Sequence, residues 1–247
     1  MSRSNEVLAM WTNTRMIVLT AVVAALYVCI LIPFKVVPII PGWTDFRPGV
    51  MVPLLGSLLF GPAAAWGAAM GNVVGDFLSG MFGWGMIFGF VGNFLLGFLP
   101  YKMLESLTRK SVADTGYFAK VLVGVVASLA CASIIGWGVD LLGFVQFPAL
   151  AGAISINNSC FSILYPALFL TLYPRIKRMG LLYTQVMPAR EVSTSAASHV
   201  LGLALVVIGA VGALTLGLLL YLAGTGEAVK YFLLPFIGAV LVGSLML

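Results

Sequence analysis

Charge is scarce in this chain. Only 9% of its 247 residues are Asp, Glu, Lys or Arg, against 61% hydrophobic residues and a mean hydropathy of +1.10. Soluble domains carry about 25% charged residues, so the deficit excludes one. Histidine is nearly absent as well. The single His199 has no carboxylate or second histidine at ligand spacing, and metal-dependent hydrolysis therefore lacks its residues. The three cysteines, Cys29, Cys131 and Cys160, form no CxxC pair, and each reads as a small buried hydrophobe inside an apolar run. Neither Gly-x-x-x-x-Gly-Lys-Ser/Thr nor Gly-x-Ser-x-Gly occurs, so the chain has no P-loop for ATP and no common serine-hydrolase signal. Basic residues are not interleaved with aromatics in a polar setting, which leaves no nucleic-acid interface. No enzyme activity and no resident cofactor are expected.

What is present is apolar length. Breaks at Pro, Gly and charged residues divide the chain into eight segments: 16–34, 49–63, 64–80, 85–104, 119–143, 149–174, 199–223 and 229–247. Most approach the roughly 20 residues a helix needs to cross a bilayer. Helices are required, because a chain in lipid has to satisfy its own backbone, and the alternation of a membrane barrel is missing. The second and third segments are short and separated only by Phe60-Gly61-Pro62, which predicts a tight hairpin. With the N-terminus inside, Arg3, Arg15, Lys102, Arg109, Lys110, Lys120, Arg175, Lys177, Arg178 and Arg190 fall on the cytoplasmic side, leaving Lys35, Arg47 and Lys230 outside. The positive-inside rule then places both termini in the cytoplasm, in keeping with an even number of spans. The fold expected is an all-α integral membrane protein: a six-span unit over 1–180, a cytoplasmic linker over 181–198 and a two-span extension over 199–247. No internal repeat is visible, which weakens an inverted-repeat carrier.

Two patterns lie inside the spans. Glycines four apart, Gly67-Gly71-Gly75 and Gly85-Gly89, line single helix faces and predict close helix packing. Polar side chains, costly in lipid, are few: Asn72, Asp76, Asn93, Asp140, Asn157 and Asn158, with Lys35, Asp45 and Arg47 in the first external loop. Asp76 lies four residues before Gly80, roughly 6 Å below that helix end, and the others also fall toward the outer half. The inner halves show little but hydroxyls. That distribution predicts a pocket open outward and closed beneath, whereas a channel or alternating-access carrier would carry polar groups through the full depth. Interfacial carboxylates and interhelical amide pairs are the plainer readings of the same residues. Trp84 and Trp137 are either interfacial anchors or surfaces for ligand stacking. Pro33, Pro38, Pro41 and Pro48 stiffen the first loop, which also holds Trp43, and a lid over a small polar ligand is its functional reading.

The run "TDFRPGVMVPLLGSLLFGPAAAWGAAMGNVVGDFLSG" from Thr44 to Gly80, followed by "FGFVGNFLLGFLPYK", resembles the substrate-binding S component of energy-coupling factor (ECF) transporters, near the riboflavin-type and queuosine-precursor-type members. The Asp-x-Arg-Pro-Gly, Phe-Gly-Pro and Gly-Asn-x-x-x-Asp elements carry the likeness, over roughly residues 10 to 180. The resemblance implies a six-helix protein with both termini cytoplasmic that holds a vitamin-like molecule under the loop joining its first two helices. It also implies a transmembrane T subunit, docked on an Ala-x-x-x-Ala face that Ala21 and Ala25 match, and cytoplasmic ATPases that use the ATP. Transport by toppling of the S component follows from the same likeness. The two C-terminal spans depart from the pattern.

The reading preferred is a substrate-capture subunit in the plasma membrane of a prokaryote. Its binding candidates are Lys35, Asp45, Arg47, Asn72, Asp76, Trp84, Asn93, Trp137, Asp140, Asn157 and Asn158. A self-sufficient secondary transporter or channel is the alternative, and a membrane scaffold the third.

Overall fold

A computed structural model describes residues 6–108, 112–187, 196–225 and 228–247. In chain order the elements are α1 (Glu6–Ala9), α2 (Thr14–Phe34), a ribbon of β1 (Pro38–Ile40) and β2 (Thr44–Asp45), α3 (Met51–Phe60), α4 (Pro62–Leu78), α5 (Gly85–Thr108), α6 (Tyr117–Leu141), α7 (Phe147–Arg178), α8 (Tyr183–Val186), α9 (Ala196–Leu222), α10 (Val229–Phe232) and α11 (Leu234–Met246). The protein is an all-α, multi-pass membrane protein. Among the described residues, six helical stretches are long and apolar enough to cross a bilayer: Thr14–Phe34, Gly85–Leu107, Tyr117–Leu141, Phe147–Val186, Ala197–Leu222 and Val229–Met246.

The second and third expected spans become a hairpin of unequal arms. At about 1.5 Å per residue, the 10 residues of α3 cover only about half the hydrocarbon thickness, while the 17 of α4 come close to all of it. Gly61 turns between them at φ +53°, a conformation that a side chain resists, and Pro62 starts α4 where its missing N–H costs nothing. The corner is also capped. A Cβ on Gly61 would lie 2.8 Å from the Tyr183 ring of α8.

Packing follows the glycine pattern. A Cβ on Gly67 or Gly71 would come within 2.8 or 3.0 Å of the Thr20 or Ala24 carbonyl of α2, so the two helices meet backbone to backbone. That contact turns Val23 and Tyr27 inward and leaves Ala21 and Ala25 on the outward face of α2, among Val18, Val22 and Leu26. Asn13 caps the start of α2, accepting from Arg15 N at 3.0 Å. Within α5, next to Pro100, the Tyr101 N–H donates to Ser57 Oγ of α3 (3.2 Å). The extension is built onto this bundle. α9 packs along α11 and against α6, Ser133 Oγ donates to the Ala210 carbonyl at 3.3 Å, and Val206, Ala210, Ile237 and Val240 are buried in the same core as the other helices.

Several expectations change. Cys29 and Cys160 face outward, because the apolar runs that hold them have a lipid-facing side; only Cys131 is buried. Lys102 and Lys120, assigned by the charge count to the cytoplasmic side, are enclosed by the fold. Lys102 pairs with Glu6 at 2.6 Å and Glu105 at 3.5 Å. Lys120 is only 1% exposed, donates to the Thr115 carbonyl and lies 5.0 Å over the Phe169 ring. Arg3, Arg109, Lys110, Arg190 and linker residues 188–195 lie outside the described residues.

Candidate substrate cavity

The ribbon between α2 and α3 sets the site. Gly42 turns it at φ +80°, which buries Thr44 and Asp45 and directs Trp43 toward the 142–146 loop, where its ring meets Phe144 at 4.9 Å. Beneath this roof is a cavity of about 310 Å³. Arg47, Asn72 and Asp76 form its polar wall. Trp43, Phe82, Trp84 and Phe144 supply aromatic surface around it, and Ile135, Val139, Leu150 and Ile154 of α6 and α7 line its apolar side.

The polar wall is one connected network. Lys35, at the end of α2, donates to Asp76 Oδ1 at 2.9 Å, lies 3.7 Å from Asp45 Oδ2, and touches Met81 Sδ at 3.4 Å. It thereby ties the first loop, α4 and the 79–84 loop together. Asn72 donates to Asp76 Oδ2 (2.8 Å) and accepts from an Arg47 terminal nitrogen (3.4 Å). Its amide fits because α5 has a glycine opposite: a Cβ on Gly89 would sit 2.8 Å from Asn72 Nδ2. Burial disfavours charge on Arg47, but Tyr27, Asp76 and Asp45 nearby outweigh it and hold the guanidinium above its ordinary pKa.

The network has unused capacity. Among the described residues, the buried side-chain polar atoms with no hydrogen-bond partner are Thr44 Oγ1, Asp45 Oδ2, Arg47 Nε and Ser155 Oγ. Three of the four lie in four consecutive residues of the first loop. Leaving such atoms unmade costs about 1–3 kcal/mol each, which a fold tolerates where something else completes them.

The remaining candidates occupy other places. Asn93 is one turn deeper, donating to the Gly89 carbonyl and accepting from Tyr27 OH, both at 2.8 Å. Asn157 accepts from the Arg47 backbone N–H at 3.3 Å and donates to Asn158 Oδ1 at 3.2 Å, so this pair braces the loop from behind rather than lining the cavity. Trp84 lines the cavity while 73% exposed. Trp137 gives its indole N–H to the Lys230 carbonyl at 2.9 Å, and neither it nor half-buried Asp140 is on the cavity wall. Sequence reading missed Tyr27, Met81, Phe82 and Phe144. Tyr27 carried a signal, since a hydroxyl inside an apolar helix has to find a partner; the others are placed only by loop tertiary structure. Among the described residues no group of His, Cys, Asp and Glu gathers to hold a metal ion.

The bundle is thus a membrane protein with a small cavity at one end, where a charged and amide wall faces aromatic surface under a structured loop, the make-up of small-molecule sites in general. The sequence profile of the QueT transporter family matches residues 17–174, and the chain belongs to that family, which is of the ECF S-component type. Its role is in transport. No curated protein and no solved structure matches the chain.

Proposed function

We propose that the protein is the substrate-capture subunit of an ECF-type uptake transporter in the plasma membrane of a prokaryote. It takes a vitamin-like molecule from outside and delivers it with a T subunit and cytoplasmic ATPases. In this reading the cavity end faces outward, the hairpin counts as two of eight spans, both termini are cytoplasmic, and Ala21 and Ala25 belong to the face that meets the T subunit. The single observation that carries it is Arg47, whose buried Nε has no hydrogen-bond partner and whose side chain lines the cavity beside Asn72 and Asp76.

The cavity chemistry narrows the ligand. Lys35 and Arg47 balance Asp45 and Asp76, so the network demands no net charge from its guest. Aromatic surface beside amide, carboxylate and guanidinium groups suits a planar nitrogen heterocycle with a hydrogen-bonding edge. A queuosine precursor is the member of that class the family points to. The volume is at the low end of the range for small-molecule sites, roughly 300–1,000 Å³.

The test is native mass spectrometry of the detergent-purified chain, followed by titration with a queuosine precursor. The expected result is a retained or added heterocycle of matching mass and copurification with T and ATPase subunits from the source cells. Saturable transport by the chain alone in liposomes would overturn the partner-dependent reading in favour of a self-sufficient transporter. Absence of any bound heterocycle at saturating precursor would overturn the assigned ligand class.

A further inference from the structure

The family match ends at residue 174, so the helices α9 to α11 lie beyond it and have no role by membership. Their attachment to the bundle is specific. At the end near the chain termini, Ser106 Oγ of α5 is 3.2 Å from His199 Nδ1 of α9. At the cavity end, the Trp137 indole N–H donates to the Lys230 carbonyl of α10 at 2.9 Å.

The second anchor leads to the cavity. Trp137 meets Phe88 of α5 edge to face, with ring centroids 5.9 Å apart. Phe88 is seated on Gly138, where a Cβ would overlap its ring at 1.9 Å. On α5, Gly85, Met86 and Gly89 flank Phe88 and line the cavity; on α6, Ile135 and Val139 flank Trp137 and line it too. One carbonyl of the extension thus fixes an indole, the indole fixes a phenyl ring, and that ring clamps the first turns of α5 to α6. Where those turns lie sets the cavity's width and the position of Gly89 against the Asn72 amide.

We infer that the two-helix extension is a positioning element for the cavity, acting through Trp137, which orients the α5–α6 wall without touching the ligand. The inference rests on the reading that this cavity takes a ligand. The wall is held from a helix pair that lies beyond the family match.

The test uses the full-length chain in detergent and compares the two anchors. Trp137→Phe keeps an aromatic ring against Phe88 and removes the N–H, while Ser106→Ala releases only the far anchor. Hydrogen exchange of the ligand-free protein is expected to quicken about tenfold over residues 88–92 in Trp137→Phe, the scale of one lost buried hydrogen bond. Exchange over residues 98–104 is expected to stay as in the parent, and Ser106→Ala is expected to leave 88–92 unchanged. Affinity for a queuosine precursor should fall about tenfold in Trp137→Phe alone, by the same reckoning. Unchanged exchange over 88–92, equal acceleration along all helices, or an equal effect from Ser106→Ala would each overturn the inference. So would faster local exchange with unaltered affinity. A parent protein that binds no precursor counts against the ligand reading instead, and the exchange comparison still decides this one.

Discussion

Among the described residues the molecule has two ionic clusters, one at each end of the bundle, and they differ in what they leave undone. At the cavity end Lys35, Asp45, Arg47, Asn72 and Asp76 are linked beside a void that the last three line, and buried polar atoms in the roofing loop lack hydrogen-bond partners. At the other end Lys102 pairs with both Glu6 and Glu105, Tyr101 OH donates to Glu6 at 2.8 Å, and Tyr183 OH donates to Glu105. Trp66 closes the same region by donating to the Val7 carbonyl at 2.9 Å, and Asn13 donates to the Val186 carbonyl at 3.1 Å. Similar residue types serve different ends. Where hydrogen-bonding capacity is spent within the fold, the cluster fastens the N-terminal segment and α8 across the α3–α4 corner; where capacity is left over beside empty space, the cluster adjoins the cavity proposed to take the ligand.

The comparison predicts that damage to the fastened end lowers stability and damage to the open end lowers affinity. The largest effect is expected from Gly61→Ala, which strains a φ of +53° and drives a methyl into the Tyr183 ring. A loss of about 3 kcal/mol in stability, with the melting temperature falling and the fraction that remains folded still binding ligand, is the expectation. Normal melting would show that the corner does not need its cap.

A matched pair of carboxylate-to-amide changes comes next. Asp76→Asn preserves shape but takes the nearer of two countercharges from enclosed Lys35, and ligand affinity is expected to drop about 100-fold in calorimetry, the range for breaking a largely buried pair. Glu6→Gln makes the same chemical change where the carboxylate is 28% exposed and shared, and is expected to cost at most about 1 kcal/mol of stability with affinity untouched. Equal affinity losses in both would erase the distinction between the ends. Gly89→Ala tests the open end without altering charge. The added methyl displaces the Asn72 amide, and about tenfold weaker binding with little change in melting is expected, equivalent to one misplaced polar contact.

Much of this was legible in the sequence, for identifiable reasons. The helical spans announce themselves by apolar length, the close α2–α4 contact by glycines four apart, and Asn72 with Asp76 by their cost in lipid. Lys35, Asp45, Arg47, Asn72 and Asp76 do come together, although they lie on three separate parts of the chain. Trp137 and Asp140 were grouped with them because depth in the membrane can be estimated from sequence whereas the direction a side chain takes around its helix cannot. The same limit hid the closed cluster. Glu6 and Glu105 look like ordinary terminal carboxylates, and only the return of α8 under Gly61 and the approach of α1 to α5 enclose them.

Depth and direction separate most sharply at Asn93. By position it belongs with Asn72, yet its amide is already satisfied at both ends, by Tyr27 OH and by the carbonyl one turn earlier on its own helix. It braces Gly89, a residue of the cavity lining, and has no amide group left over for the proposed ligand. Asn93→Ala should therefore weaken ligand binding only about threefold, through relaxation of Gly89 and loss of the Tyr27 partner, a fraction of one hydrogen bond. Calorimetry on the same preparation used for Asp76→Asn makes the contrast direct. A loss as large as that of Asp76→Asn would mean that Asn93 turns from Tyr27 to the ligand on binding, and the boundary between wall and floor would have to be drawn a turn deeper.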